Sequence, residues 1–402
     1  MLINLKDYIK TIESGKRPKG GAIESGIPSL GGEHIDNFGG LIISDSKMKY
    51  VPQDYYEKLN KGIIKKNDIL VVKDGATTGK VAIVDEKFTL PEACINEHLF
   101  ILRPKEQIKP KFLFYYFFSE VGKKEILKDF RGATVGGISK EFIDINLDIP
   151  SKDNQEKIIK VLDVAKNIID KRKAQIEALD ELVKSQFIEM FGTPNQKRFI
   201  GKTLPEIIED DKYALKRGPF GGSLKKADFI QEGYLVYEQR HAIHNDFDYA
   251  KYFISKEKYN EMIMFKVEPK DLLVSCSGVT LGRISEVPEG AKEGIINQAL
   301  LKITLNQDIM NNIYFMQLFR NEQIQDKLFG FSRGSGIPNF PSMNEVKSME
   351  FLCPPIELQN QYANFVKQVD KLKFEMEKSL KDLEDNFNSL MQKAFNGQLF
   401  NK

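Results

Sequence analysis

Two long stretches repeat apolar side chains at alternating steps of four and three, and nothing else in the chain restricts its fold as much. In the first, the series is Ile158, Leu162, Ala165, Ile169, Ile176, Leu179, Val183 and Met190, with Arg172 and Gln186 in its two polar slots. In the second it is Tyr362, Val366, Val369, Met376, Leu380, Leu383, Phe387 and Leu390, with Lys373 as the exception. A period of 3.5 residues kept up this long specifies a coiled-coil seam. Each stretch starts just after proline (Pro150; Pro354-Pro355) and stops at Phe191-Gly192 or Phe395-Asn396-Gly397. Proline begins a helix but does not continue one, and glycine ends one. A helix of roughly 38 residues is about 57 Å long and cannot bury such a stripe alone. Two of them can pair. A globular segment separates them in sequence, so an antiparallel pairing would put one globular unit at each end.

The globular segments also repeat. Asp68, Leu70, Val71, Gly75, Thr77 and Gly79 return as Asp271, Leu273, Val274, Gly278, Thr280 and Gly282, and Lys80 returns as Arg283. Downstream, Ile95-Asn96 matches Ile296-Asn297, Arg131-Gly132 matches Arg333-Gly334, and Pro150 matches Pro354. An early loop echoes too, with Lys16-Arg17 set against Lys216-Arg217. A period of half the chain marks a domain duplication rather than a solenoid. The expected organisation is a globular domain over 1–150, a helical region over 151–192, a second globular domain over 193–353 and a second helical region over 354–402. The fold class is α+β. In each domain two apolar runs read as strands (Ile69–Val72 and Leu99–Leu102; Leu272–Val274 and Leu300–Ile303), followed by an aromatic helix whose rings belong to the core.

Composition narrows the function classes. The three cysteines, Cys94, Cys276 and Cys353, are widely spaced and read as buried or idle thiols. No apolar run approaches the ~18 residues of a membrane span, and the N-terminus lacks a signal-peptide pattern, so a cytoplasmic location is expected. A net charge of +2 argues against an extended basic surface but leaves room for a small, focused one. Catalytic motifs fail one by one. Residues 74–80 resemble a phosphate loop with one residue too few and Val81 where a hydroxyl should hold magnesium. His241 and His244 have no accompanying ligand cluster, so they read as part of a polar loop. Glu345-Val346-Lys347 lacks the second acid of a nuclease motif, and Pro354-Pro355 is not a methyltransferase motif. Binding and scaffolding are favoured over catalysis.

"IPSKDNQEKIIKVLDVAKNIIDKRKAQIEALDELVKSQFIEMFG" and "PPIELQNQYANFVKQVDKLKFEMEKSLKDLEDNFNSLMQKAFNGQLF" resemble the central and C-terminal helical regions of the specificity subunit of type I restriction–modification systems, and "KRGPFGGSLKKADF" resembles a recurrent loop of that family's target-recognition domains. The resemblance implies two target-recognition domains, similar in fold to the DNA-recognition domain of the TaqI-type adenine methyltransferase. Each would read one half of a bipartite DNA site, and the helices would act as a ruler for the spacer. It implies two modification (methyltransferase) subunits and two restriction subunits as partners, with S-adenosylmethionine, ATP and magnesium belonging to those partners and no metal or cofactor to this chain. Side chains that read base edges or phosphates are expected in the repeated polar loops. In the first domain these are Lys16, Arg17, Lys19, Thr77, Thr78, Lys80, Arg131 and Thr134. In the second they are Lys216, Arg217, Ser223, Lys225, Lys226, Arg240, Thr280, Arg283, Arg333 and Ser335. Two readings compete with this one: a single-chain nuclease or methyltransferase component, and a coiled-coil scaffold with no DNA role.

Overall fold

In a computed structural model, which describes residues 2–43, 48–132, 136–193, 196, 198–220, 222–330 and 340–400, the chain divides into two units. One is Met1–Ala174 with Glu377–Lys402, and the other is Gln175–Met376. Each holds one globular part and a segment of both long helices.

In the first unit the elements run β1 (Leu2–Asn4), β2 (Ile9–Ser14), β3 (Ile27–Leu30), β4 (Tyr50–Val51), α1 (Gln53–Glu57), β5 (Ile69–Val72), β6 (Val81–Ile83), β7 (Cys94–Ile95), β8 (Leu99–Pro104), α2 (Pro110–Phe118), α3 (Glu120–Leu127), β9 (Asn146–Asp148) and the 40-residue α4 (Lys152–Phe191). An antiparallel sheet has the order β2-β8-β5-β6, a smaller sheet β4-β3-β7 adjoins it, and β1 pairs with β9. Side chains alternate across a strand. Ile69, Val71, Phe100 and Leu102 face the aromatic helix α2, while Leu70, Val72, Leu99 and Ile101 pack against Leu30 and Ile95. Both faces are covered, which is why β5 reads as an unbroken apolar run.

The second unit repeats this plan: β10 (Gly201–Thr203), α5 (Leu204–Ile207), β11 (Leu215–Arg217), β12 (Tyr234–Tyr237), α6 (Gln239–His244), β13 (Phe253–Ile254), α7 (Lys256–Glu261), β14 (Lys266–Val267), β15 (Leu272–Ser275), β16 (Ile284–Glu286), β17 (Gly294–Ile296), β18 (Leu300–Ile303), α8 (Asn312–Phe319), α9 (Glu322–Phe329), α10 (Met343–Ser348), β19 (Glu350–Leu352) and the 40-residue α11 (Ile356–Phe395). The sheet β11-β18-β15-β16 matches β2-β8-β5-β6 strand for strand, and β13-β12-β17-β14 gains β14 where the first unit has a single bridge, Ile63 to Cys94. His241 is not on a polar loop. It is fully buried, its Nδ1 accepts from the Glu238 amide at 2.9 Å, and its Nε2 lies 2.9 Å from the Tyr249 carbonyl. His34 occupies the equivalent place in the first unit, beneath the Gly31 amide at 2.9 Å.

Within each unit the helix segments run antiparallel. In the first, Lys173 of α4 reaches Glu384 of α11 at 3.0 Å, and Ile158, Leu162 and Ile169 share a core with Phe387, Met391 and Ala394. In the second, Asp180 accepts from Lys373 at 2.6 Å, and the Tyr362 ring lies 5.4 Å from Phe187 and 5.5 Å from Phe191. Of the seam residues, Ile158, Leu162, Ile169, Leu179, Tyr362, Val369 and Phe387 are buried. Ala165, Ile176, Val183, Met190, Val366, Met376, Leu380, Leu383 and Leu390 are half-buried. Near the end of α4 the buried face moves one position along, from the slot of Gln186 to Phe187 and on to Phe191. The reason is that α8 packs there as a second partner, with Tyr314 4.6 Å from Phe191. Gly192 and Gly397 close the two helices at φ 76 and 73, backbone that glycine adopts without a Cβ clash.

Candidate nucleic-acid interface

In the first unit, loops converge at one end of the β2-β8-β5-β6 sheet. Gly15 ends β2 so close to the 96–98 turn that a Cβ there would lie 2.1 Å from the Asn96 carbonyl oxygen. The Lys73 amide donates to the His98 carbonyl at 2.9 Å, and the Ile138 amide to the Lys73 carbonyl at 2.7 Å, which draws in the strand-like segment around Arg131 and Gly137. Arg17 lies 3.8 Å from Glu97, and His98 bridges Glu97 to Asp74. Arg131 is 77% exposed and touches Asp129 at 3.1 Å. Lys16 and Lys19 are exposed beside this cluster, with the Lys16 carbonyl taking a bond from Tyr55 at 3.0 Å. Thr77 is half-buried, and Thr78 spends its hydroxyl on the Gly75 carbonyl at 2.7 Å. Lys80 points elsewhere. It donates to Asn37 at 2.7 Å in a cleft of about 350 Å³ that Phe118, Glu120 and Lys123 also line. Thr134 lies outside the described residues.

In the second unit the same end of the sheet is built differently. Lys216 and Arg217 lie on β11 itself. Lys216 sits over the rings of Phe265 and Tyr213, and Arg217 meets those of Phe220 and Phe340. Ser223 donates to the Phe220 carbonyl at 2.8 Å, which closes the loop that exposes Lys225 and Lys226. Gln239 donates to Ser277 at 3.0 Å and so places Arg240, which pairs with Asp246 at 3.1 Å over the Tyr249 ring. The turn carrying Thr280 leaves Val279 99% exposed at its tip. Arg283, the counterpart of Lys80, lines a cleft of about 540 Å³ beside Arg320, whose burial pulls its pKa below the ordinary arginine value, with the Arg283 charge adding to the effect. Arg333 and Ser335 lie outside the described residues.

Strand register corrects one sequence equivalence. Ser14 pairs with Phe100 and Arg217 pairs with Leu301, while Gly15 and Gly218 make the same close approach, to the carbonyls of Asn96 and Asn297. Lys216-Arg217 therefore matches Glu13-Ser14, not Lys16-Arg17. The similar letters lie on opposite sides of that glycine: the basic pair follows Gly15 in the first domain and precedes Gly218 in the second. The corrected register also reveals residues that the repeated motifs passed over. Glu13, Asp74, Glu97 and His98 in the first unit stand where the second has Lys216, Ser277, Gln298 and Ala299. No repetition marks them, because here the two units differ.

Two buried glutamines were also missed. Gln155 accepts from the Lys109 amide at 2.8 Å and donates to the carbonyls of Gln107 and Pro150. Gln359 accepts from the Asn311 amide at 2.9 Å and donates to the carbonyls of Ile309 and Pro354. Each fastens the start of a long helix to the start of its unit's aromatic helix. The same spacing from Pro150 and from Pro354 was the available signal.

A family model described as the type I restriction modification DNA specificity domain matches residues 26–178 and again 220–384. The chain belongs to this family. Each specificity-domain match takes in much of one globular part and runs on into the long helix that follows it. A putative type I restriction enzyme MjaX specificity subunit from Methanocaldococcus jannaschii is 24% identical over 385 residues, covering 92% of this chain and 86% of the relative. The type I restriction enzyme StySPI specificity subunit of Salmonella potsdam is 23% identical over 378 residues, covering 87% and 78%. The solved S subunit from M. genitalium aligns over 98% of this chain and 96% of its own with a TM-score of 0.52 at 17% identity. A chain from a structure of type I system assembly and conformational transition aligns over 99% and 98% with a TM-score of 0.64 at 14% identity. These likenesses show the fold that the chain shares with solved S subunits: in each unit an α+β globular part and antiparallel segments of the two long helices. Among the described residues, no helix is long and apolar enough to cross a membrane, and no group of His, Cys, Asp and Glu side chains is placed to hold a metal ion.

Proposed function

We propose that this chain is the DNA-specificity subunit of a type I restriction–modification complex. Each globular unit reads one half of a bipartite duplex site, and the two helices set the spacer and dock the methyltransferase subunits. The observation that carries this reading is one fold built twice in matching strand register, each copy leading through a buried glutamine into a 40-residue helix. Such a helix is about 60 Å long, and half-sites on one face of B-DNA recur roughly every 34–36 Å, so the spacer is of suitable scale. The partners are double-stranded DNA, two modification subunits and two restriction subunits. The chain itself is non-catalytic and works in the cytoplasm, while S-adenosylmethionine, ATP and magnesium are used by the partners.

Replacing residues 1–150 with those of a relative tests the reading. In the assembled methyltransferase, one half of the methylated sequence should change while the other half and the spacer persist. A change in both halves, or in neither, would refute modular recognition. Lengthening each helix by one heptad should alter the spacer and leave both half-sites intact.

A further inference from the structure

We propose that Arg217 is the side chain through which the second unit selects a guanine in its half-site, an inference that rests on the DNA-reading role above. Its guanidinium carbon lies 5.0 Å from the centroid of the Phe220 ring and 5.4 Å from that of Phe340. A cation over ring faces is attracted by their quadrupoles, and two such rings restrict how far the planar group can reorient. Phe220 is 60% exposed and Phe340 is buried, so the arginine meets one ring at the protein surface and one anchored in the core. The Arg217 Nε is buried and has no hydrogen-bond partner among the described residues, nor does the side chain form an ion pair among them. The two terminal nitrogens are the donors that remain for a ligand.

Its position supplies the second argument. Gly218 ends β11 against the Asn297 carbonyl, and the Cys276 amide donates to the Ala299 carbonyl, so Arg217 lies at the sheet end where the 276–283 turn and the 297–299 turn meet. The equivalent residue of the first unit is Ser14, and around it Glu13, Asp74 and Glu97 replace Lys216, Ser277 and Gln298. Residues shared by both units cannot tell two different half-sites apart. Those that differ at matched positions can.

The base follows from donor chemistry. A guanidinium offers donors only, as two parallel N–H groups in one plane. In the major groove guanine presents O6 and N7 side by side as acceptors, adenine mixes an acceptor with a donor, and cytosine presents a donor. A phosphate also accepts two parallel donors, but its loss weakens binding evenly across sequences, whereas loss of a base contact relaxes one position of the motif.

The full chain, assembled with its methyltransferase subunits in cells otherwise free of adenine methylation, tests this by sequencing of the methylated sites. The wild-type motif should hold a guanine in the half-site that changes when residues 193–353 are exchanged. Arg217→Ala should relax that position alone, lowering the preference for guanine on the order of 10- to 100-fold. Phe220→Ala, which leaves the arginine but frees its plane, should weaken the same preference by less. A half-site without guanine would overturn the inference. So would an unchanged motif in Arg217→Ala with evenly reduced methylation and a salt dependence of binding lowered by about one charge, the signature of a phosphate contact. If Arg217→Ala abolishes methylation altogether, Arg217→Gln decides, because a glutamine amide matches adenine and not guanine: a motif relaxed or shifted to adenine at that position supports the inference, and an unchanged motif refutes it. A wild-type complex that methylates no split sequence would instead overturn the DNA-reading role itself.

Discussion

Gln155 and Gln359 hold the same place in their two units. Each is buried at the first turn of a 40-residue helix, accepting one backbone amide and donating to two carbonyls. A glutamine amide has one acceptor oxygen and two donor hydrogens, and here all three capacities that matter are met. The link is polar yet buried. It fixes where the long helix leaves the globular part, which an apolar contact would set less directionally.

Truncating either glutamine leaves an amide and two carbonyls without that partner. Gln155→Ala and Gln359→Ala should each destabilise the chain by about 1–3 kcal/mol. Chemical denaturation measures the loss, and hydrogen exchange should show the amide of Lys109 or of Asn311 losing protection only in the matching variant. Loss of protection at both sites from one substitution would contradict the local role.

Gly218 is required by space rather than by φ. A Cβ there would lie 1.8 Å from the Asn297 carbonyl oxygen, and at Gly15 2.1 Å from that of Asn96, so backbone must move. Gly218→Ala should cost at least about 1–3 kcal/mol, as overpacking does. It should also reduce recognition of one half-site while Gly15→Ala affects the other. Thermal unfolding together with the methylated motif checks both effects.

The helix pair of the second unit separates packing from charge. Tyr362 is fully buried against Phe187 and Phe191, whereas Asp180, the partner of Lys373, is largely exposed. Tyr362→Ala should cost about 3–5 kcal/mol, as large aromatic truncations do. Lys373→Met should change stability by no more than about 1 kcal/mol. Denaturation midpoints that ranked the two the other way round would show the seam to be held by ions.

Lys166 gives the first unit a pH response. Burial pulls its pKa below the ordinary 10.5, against the opposing pull of Asp170, Asp36 and Asp85, with Lys87 adding to the lowering. Its ammonium donates to the Phe38 carbonyl at 2.8 Å beside the Phe114 ring. The unfolded chain therefore binds more protons than the folded one between the lowered value and 10.5. Stability from this group is complete above 10.5 and is lost as pH falls through the folded value. Lys166→Met removes that term. The melting temperature of wild type minus that of the variant should rise with pH across this alkaline window, and a flat difference would refute the assignment.

The amino-acid order by itself determined the larger plan. The 3.5-residue period, the prolines before each helix and the glycines after it are local signals, and they lead directly to α4 and α11. The apolar runs at Ile69 and Leu272 mark strands covered on both faces, and the aromatic runs at Phe112 and Ile313 mark helices buried in the core. What residue spacing could not decide is which side chains meet. The tertiary structure moved Lys216-Arg217 three residues out of their apparent alignment, because strand pairing and the close approach of Gly218 set register, and similar letters in loops of unequal length do not. It turned Lys80 away from Arg17 and Arg131, spent the Thr78 hydroxyl on a turn, and placed Arg217 against two rings that lie 3 and 123 residues further along the chain. Local sequence encodes periodicity and stops. Contacts between distant residues arise only when the sheet closes, and the chemistry of a reading surface is made of such contacts.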